Sequence, residues 1–132
     1  MRKLIVVIAE DNETVGKLIA LVLKDMGHTV HLAEDKREAI SLADRISGID
    51  VLITNRRSAR TVPSEISGED IIGRVRKRHQ KMKAVLLTGE DPKHLSAVEE
   101  AGISIFLKKP VDLSELKAVI EEISAEDPVQ EA

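Results

Sequence analysis

Short apolar runs alternate with longer amphipathic segments along the whole chain. Leu4-Ile5-Val6-Val7-Ile8 is an unbroken, β-branched-rich run, the pattern of a strand covered on both faces. Similar runs return at Val51–Thr54 and Ala84–Leu87, with shorter ones at Thr29–Leu32 and Ser104–Leu107. Between them the period changes. From Thr14 to Met26, the residues Val15, Ile19, Val22 and Met26 recur at helical spacing, Leu18 widens the stripe, and Gly27 can end the helix. Asp35 to Ile46 puts Ala39, Ala43 and Ile46 on one face, with Gly48 as its stop. Residues 55–68 are irregular, and then Ser67 with Asp70 can cap a helix carrying Ile71, Ile72 and Val75. Asp91-Pro92 starts a further helix with Leu95, Val98 and Ala101 on its apolar face. Asp112 and Glu115 open the last one, striped by Leu113, Leu116, Ile120 and Ile123.

Strict β-α alternation demands a parallel sheet with right-handed crossovers, and strands without polar positions need helices on both faces. The pattern therefore predicts an α/β fold in one domain over residues 1–125, with an acidic tail, 126–132, expected to be disordered. Open sheets of this kind place their crevice at the carboxyl ends of the strands.

Composition narrows the chemistry. The 132 residues contain no cysteine, which excludes disulfides, thiolate metal sites and cysteine nucleophiles. Charged residues make up 33% but sum to only -3, with no basic excess of the kind a nucleic-acid surface shows, so no nucleic-acid partner is expected. Phe106 is the only aromatic, which leaves little for stacking on bases. The first apolar run is too short to span a bilayer and is closed by Glu10 and Asp11 without a cleavage site. The expectation is a soluble, cytoplasmic protein without a membrane partner. His28, His31, His79 and His94 show no metal-ligand grouping and are read as structural or surface residues.

The strand-end rule gathers one constellation. Glu10, Asp11 and Asn12 follow the first strand, Asn55, Arg56 and Arg57 the third, Thr88 and Gly89 the fourth, and Lys108, Lys109 and Pro110 the fifth. Paired carboxylates beside a carbonyl oxygen suit a hard cation such as Mg²⁺. A hydroxyl and an ammonium suit phosphoryl oxygens. Each residue also has an ordinary explanation: Asp11 or Asn12 can cap a helix, Thr88 is a β-former, and Lys109 can be a solvated loop lysine. Their joint placement at four strand ends favours a site.

In this order and spacing, Ile8-Ala9-Glu10-Asp11-Asn12, Asp50-Val51-Leu52-Ile53-Thr54-Asn55, Leu86-Leu87-Thr88-Gly89 and Phe106-Leu107-Lys108-Lys109-Pro110 resemble the response-regulator receiver family of two-component (phosphorelay) signalling. The resemblance covers about residues 3–124. It implies a flavodoxin-like sheet of order 2-1-3-4-5 with five helices on two faces. It implies that Glu10 and Asp11, with Asn55 and the Arg57 backbone carbonyl, would ligate Mg²⁺. It makes Thr88 the switch hydroxyl, Phe106 the switch aromatic and Lys109 the essential lysine, and it implies a cis bond at Lys109-Pro110. The protein partner, a sensor kinase, phosphotransfer or output protein, would meet a face spanning roughly residues 91–124, and the last helix could join two copies.

One position departs from the family. The phosphoacceptor aspartate is replaced by Asn55, and a neutral carboxamide is a poor nucleophile toward phosphorus. Asp50 lies at the far end of the same strand, roughly 17 Å away, and cannot stand in. The loss of a negative charge should leave a weak or absent Mg²⁺ site and turn Lys109 toward Glu10 or Asp11. The following loop is long for the family and carries Arg56, Arg57 and Arg60; either Arg56 or Arg57 plugs the acidic pair, or all three face solvent. The reading is thus a non-enzymatic pseudo-receiver serving as a protein-interaction module. Alternatives are a receiver modified by a partner kinase at another residue, or a small phosphate- or cofactor-binding enzyme of flavodoxin-like fold. The enzyme is disfavoured by the acidic loop after the first strand and the missing aspartate nucleophile.

Overall fold

The computed structural model describes residues 2–56, 66–89 and 105–125. Five strands, β1 (Ile5–Ala9), β2 (Thr29–Ala33), β3 (Val51–Asn55), β4 (Lys83–Thr88) and β5 (Ile105–Lys108), form one parallel sheet of order β2-β1-β3-β4-β5. Four helices are described: α1 (Glu13–Asp25), α2 (Lys36–Arg45), α3 (Gly68–Arg76) and α4 (Leu113–Ala125). The expected helix after Asp91-Pro92, the arginines Arg57 and Arg60, and the 126–132 tail lie outside the described residues.

The sheet separates two cores because successive strand side chains point to opposite faces. Val6 and Ile8 join Ile53, Leu87, Leu116 and Ile120 beneath α1 and α4. Val7 and Ala9 join Leu52, Ile71, Ile72 and Leu86 beneath α2 and α3. Both layers are apolar and mostly aliphatic, with Met82 in the second and Phe106 packed against it, which accounts for strand runs without polar positions.

The expected α1 stripe is inward at Ile19, with Val15 and Met26 partly buried against the same core, but it widens toward Ala20 and Leu23 and not toward Leu18. Gly16, Ile19, Ala20 and Leu23 are its buried residues, whereas Leu18 is 45% exposed and lies off the stripe. At Gly16 the helix passes close to β2, where an added Cβ would lie 3.1 Å from Leu32 Cδ1. Gly27 ends the helix as expected, at φ 96, where a side chain would be strained. Gly48 has no such role. The α2 end is made at Ile46, whose extended backbone still donates to the Leu42 carbonyl. Asp35 is the N-cap of that helix, accepting from the Glu38 amide at 2.8 Å, and Glu38 returns a bond to the Glu34 amide.

The amino edge of the sheet is tied by polar groups. Asp50 accepts from the Ile5 amide at 2.8 Å and pairs with Arg2 at 3.1 Å, a fixed structural position far from the carboxyl edge. His28 and His79 are both buried and both accept backbone amides through Nδ1, from Leu4 at 3.0 Å and Ile49 at 3.2 Å. Only a neutral imidazole can accept in this way. Burial holds the His28 pKa below its usual value of 6.5, against a smaller opposing pull from Asp50. Folded His28 therefore binds a proton less readily than in the unfolded chain. The associated stability is complete above pH 6.5 and is lost as the pH falls below it. His28→Asn, whose carboxamide oxygen can keep the Leu4 bond, should flatten that acid-side decline in urea denaturation measured from pH 7.5 down to pH 5.5.

The start of α3 sits tightly against the end of β3. A Cβ at Gly68 would lie 2.5 Å from the Asn55 carbonyl oxygen and 2.6 Å from Leu86 Cδ1. Backbone cannot yield there without moving the strand. Gly68→Ala should lower the unfolding free energy by about 1–3 kcal/mol and shift the Asn55 amide resonance. Wild-type stability with an unmoved Asn55 signal would contradict this packing.

Candidate functional site

The carboxyl ends of β1, β3 and β4 meet the loop after β5 in one crevice. Asn12 caps α1 by accepting from the Val15 amide at 3.1 Å. This leaves Asp11 available to the crevice, where its Oδ1 accepts from Asn55 Nδ2 at 2.9 Å. Asn55 is 1% exposed and closes β3, paired in register with Leu87. One residue further, Thr88 is buried at the end of β4, and its carbonyl accepts from the Lys109 amide at 2.8 Å. Lys109 is thereby aimed back across the sheet, and its Nζ reaches Glu10 Oε1 at 3.1 Å. The expectation that Lys109 turns to Glu10 holds in this geometry. The Lys109-Pro110 bond is cis, as anticipated.

Glu10 is the electrostatic centre of this arrangement. It is 3% exposed, and its second oxygen, Oε2, is buried without a hydrogen-bond partner. Burial raises its pKa above the ordinary 4.5, Lys109 pulls it back down by hydrogen bond and charge, and neighbouring Asp11 pushes it up again. Two nitrogen donors, the Asn55 carboxamide and the Lys109 ammonium, thus face the two carboxylates. Among the described residues no three acidic or histidine side chains converge in a way that could hold a metal ion.

Arg56 corrects an expectation. It neither plugs Glu10 nor faces solvent: its Nε donates to Glu69 Oε2 at 2.9 Å, and both side chains are largely buried. The backbone dictates this. Arg56 donates its amide to Leu87 and accepts from Gly68, which sets its side chain against the first turn of α3, where Glu69 stands. The Arg56–Glu69 pair was legible only as an arginine after β3 and an acid in a helix first turn, two signals that nothing in the sequence joins. Arg57, whose carbonyl was expected at the metal site, lies outside the described residues. Phe106 is half-buried on β5, opposite Leu86 in register, and packs against the core on the α2–α3 side.

Two hollows flank the acidic pair. One of about 500 Å³ is rimmed by Glu10, Asp11, Glu13 and Glu34, with Gly16 and Leu32 in its wall. The other, about 320 Å³, runs between α1 and the loop before α4 and is lined by Val15, Leu18, Pro110, Val111 and Leu113 with Lys109 at one end.

Comparison with known proteins agrees with this architecture. Residues 6–121 match the response regulator receiver domain family. The chain is 28% identical over 123 residues to the sensor kinase CckA of Brucella abortus (strain 2308), covering 89% of this chain but 12% of that much longer protein. The chemotaxis response regulator CheY4 of Vibrio cholerae superposes with a TM-score of 0.81 at 22% identity, over 92% of this chain and 99% of that one. The receiver domain of hybrid histidine kinase CckA superposes with a TM-score of 0.73 at 25% identity, over 90% of this chain and 97% of that one. This chain belongs to the response regulator receiver domain family of two-component signalling.

Lys109→Met tests the central ion pair. It would leave Glu10 buried with neither oxygen partnered by a cation, and should cost about 1–3 kcal/mol at pH 7.5. The cost should shrink toward pH 4.5, because a protonated Glu10 no longer needs the ammonium. Urea denaturation of both proteins at the two pH values measures the difference, and equal losses at both would argue against the pair.

Proposed function

We propose that this receiver domain works as a protein-interaction module without aspartyl phosphorylation. The observation that carries this reading is the Asn55 carboxamide at the family's acceptor position, donating to Asp11 at 2.9 Å. An aspartate there could attack phosphorus with an anionic oxygen. The carboxamide nitrogen has its lone pair delocalised into the carbonyl and is already engaged as a donor, so it offers no nucleophile.

The same geometry supports weak or absent Mg²⁺ binding. A divalent ion at the family position would be held by the Glu10 and Asp11 carboxylates, but Lys109 and Asn55 already supply positive hydrogen-bonding character to both. Asn55 also brings one formal negative charge fewer than an aspartate would, and a hard divalent cation is held chiefly by anionic oxygens. The described donors do not fit a tightly held ion.

Thr88 and Phe106 occupy the family's two switch positions, at the end of β4 and on β5. With no phosphoryl group to redistribute their conformations, the face that includes β5 and α4 is held in one state or is selected by the partner itself. The partner is a protein of a two-component pathway acting in the cytoplasm. Among the described residues no helix is long and apolar enough to cross a membrane.

Incubation with acetyl phosphate and Mg²⁺, followed by intact mass measurement, should give no phosphoryl adduct on the wild type and an adduct on Asn55→Asp. The substitution also replaces an N–H donor facing Asp11 with a second carboxylate, and two carboxylates at that separation repel unless a cation lies between them. Asn55→Asp should therefore be less stable than wild type without Mg²⁺, recover when Mg²⁺ is added, and bind the ion roughly tenfold or more tightly by calorimetry. A phosphoryl adduct on wild-type Asn55 would refute the proposal.

A further inference from the structure

At the sheet edge opposite Asn55, the turn from α3 into β4 carries charge of one sign. Six lysines and arginines stand between Arg74 and Lys83, and no carboxylate occurs from Ile71 to Gly89. The chain holds 20 cationic and 23 acidic side chains, so without these six cations the remainder stands at net -9. The run is a basic island on an acidic protein.

The island is fixed in place. Arg76 donates Nη2 to the Met82 carbonyl at 2.7 Å across the turn. The buried His79 ring bridges the Ile49 amide and the Ala43 carbonyl, the latter at 2.8 Å, which ties the turn to α2 and to the approach to β3. Arg74, Lys77, Arg78 and Lys81 are exposed, and so is Arg45 at the end of α2. Among the described residues, the side chains of Arg45, Arg74 and Lys77 have no hydrogen-bond or ion-pair partner. Arg78 meets Asp44 only at 3.4 Å, with both side chains more than half exposed, a pair worth little in water. The negative carboxyl ends of α2 and α3 offset one or two cations each. They do not account for Arg78, which lies past the end of α3. Beside the turn lies a cleft of about 430 Å³ whose wall includes Ile5 and Ile49 and whose rim includes Arg78 and Lys81; its one carboxylate, Asp50, is already engaged by Arg2 and the Ile5 amide.

We propose that this cationic rim and its cleft dock an acidic segment of a partner protein, with glutamates or aspartates pairing to Arg45, Arg74, Lys77 and Arg78. A nucleic acid fits less well: the strongly acidic remainder repels a dense polyanion, and the single aromatic, Phe106, is packed against the core rather than presented for base stacking. The surface lies at the sheet edge away from Asn55, so docking is independent of the acceptor position and stands apart from the proposal that Asn55 is not phosphorylated.

Amide NMR of the full chain titrated with poly-L-glutamate tests the proposal. Shifts should concentrate at residues 74–83 and 47–50, and affinity should fall roughly tenfold or more between about 25 mM and about 200 mM NaCl. The charge reversal Arg74→Glu with Lys77→Glu should weaken binding at least about tenfold, while Arg74→Lys with Lys77→Arg should preserve it. The positions are exposed, so both variants should fold, which wild-type-like amide spectra would verify. Shifts scattered over lysines across the whole surface would overturn the proposal, as would equal affinities of the two variants. So would tighter binding of duplex DNA or of phosphatidylserine vesicles than of poly-L-glutamate, or self-association of the chain through this turn.

Discussion

A carboxylate almost wholly removed from water must find positive charge, and Glu10 finds it in Lys109, a residue 99 positions away. That requirement organises the carboxyl edge of the sheet. The lysine reaches Glu10 only because its own backbone is held to Thr88, and Thr88 is in place only because β4 is paired to β3 in a register that also presents Asn55. The ion pair thus depends on the registers that join β1, β3, β4 and β5, with β2 outside them at the far edge. The second oxygen of Glu10 stays buried without a hydrogen-bond partner, so the charge of Lys109 is the main compensation this carboxylate receives.

Much of this is legible in the sequence. The strands were legible because a sheet buried on both faces permits no polar interruption, and Leu4–Ile8 and Val51–Thr54 have none. The crevice followed from topology: in a parallel α/β sheet the residues just beyond each strand converge whatever their identity. Glu10, Asp11, Asn55, Thr88 and Lys109 could therefore be gathered from positions scattered across the chain. The helix stops were less legible. Gly27 acts as one because the backbone there needs a positive φ, whereas Gly48 resembles it in sequence but not in conformation.

What pattern could not supply was rotation and partner choice. Leu18 matches a helical period, yet period alone does not fix which of two adjacent stripes faces inward, and it is Ile19, Ala20 and Leu23 that are buried. Arg56 stands beside an acidic pair in the alignment of strand ends, yet its backbone bonds direct it to Glu69. The structural use of His28 and His79 as acceptors for backbone amides was equally hidden, because nothing local to a histidine announces which distant amide lacks a partner.

The junction between β3 and α3 has a wider consequence. Arg56 is clamped from both sides, giving its amide to Leu87 and taking one from Gly68, so the chain leaves the sheet and returns to it through a closed neck. A change to the Arg56 backbone or to the Gly68 amide would therefore be felt both at Asn55, one residue below, and in the first turn of α3.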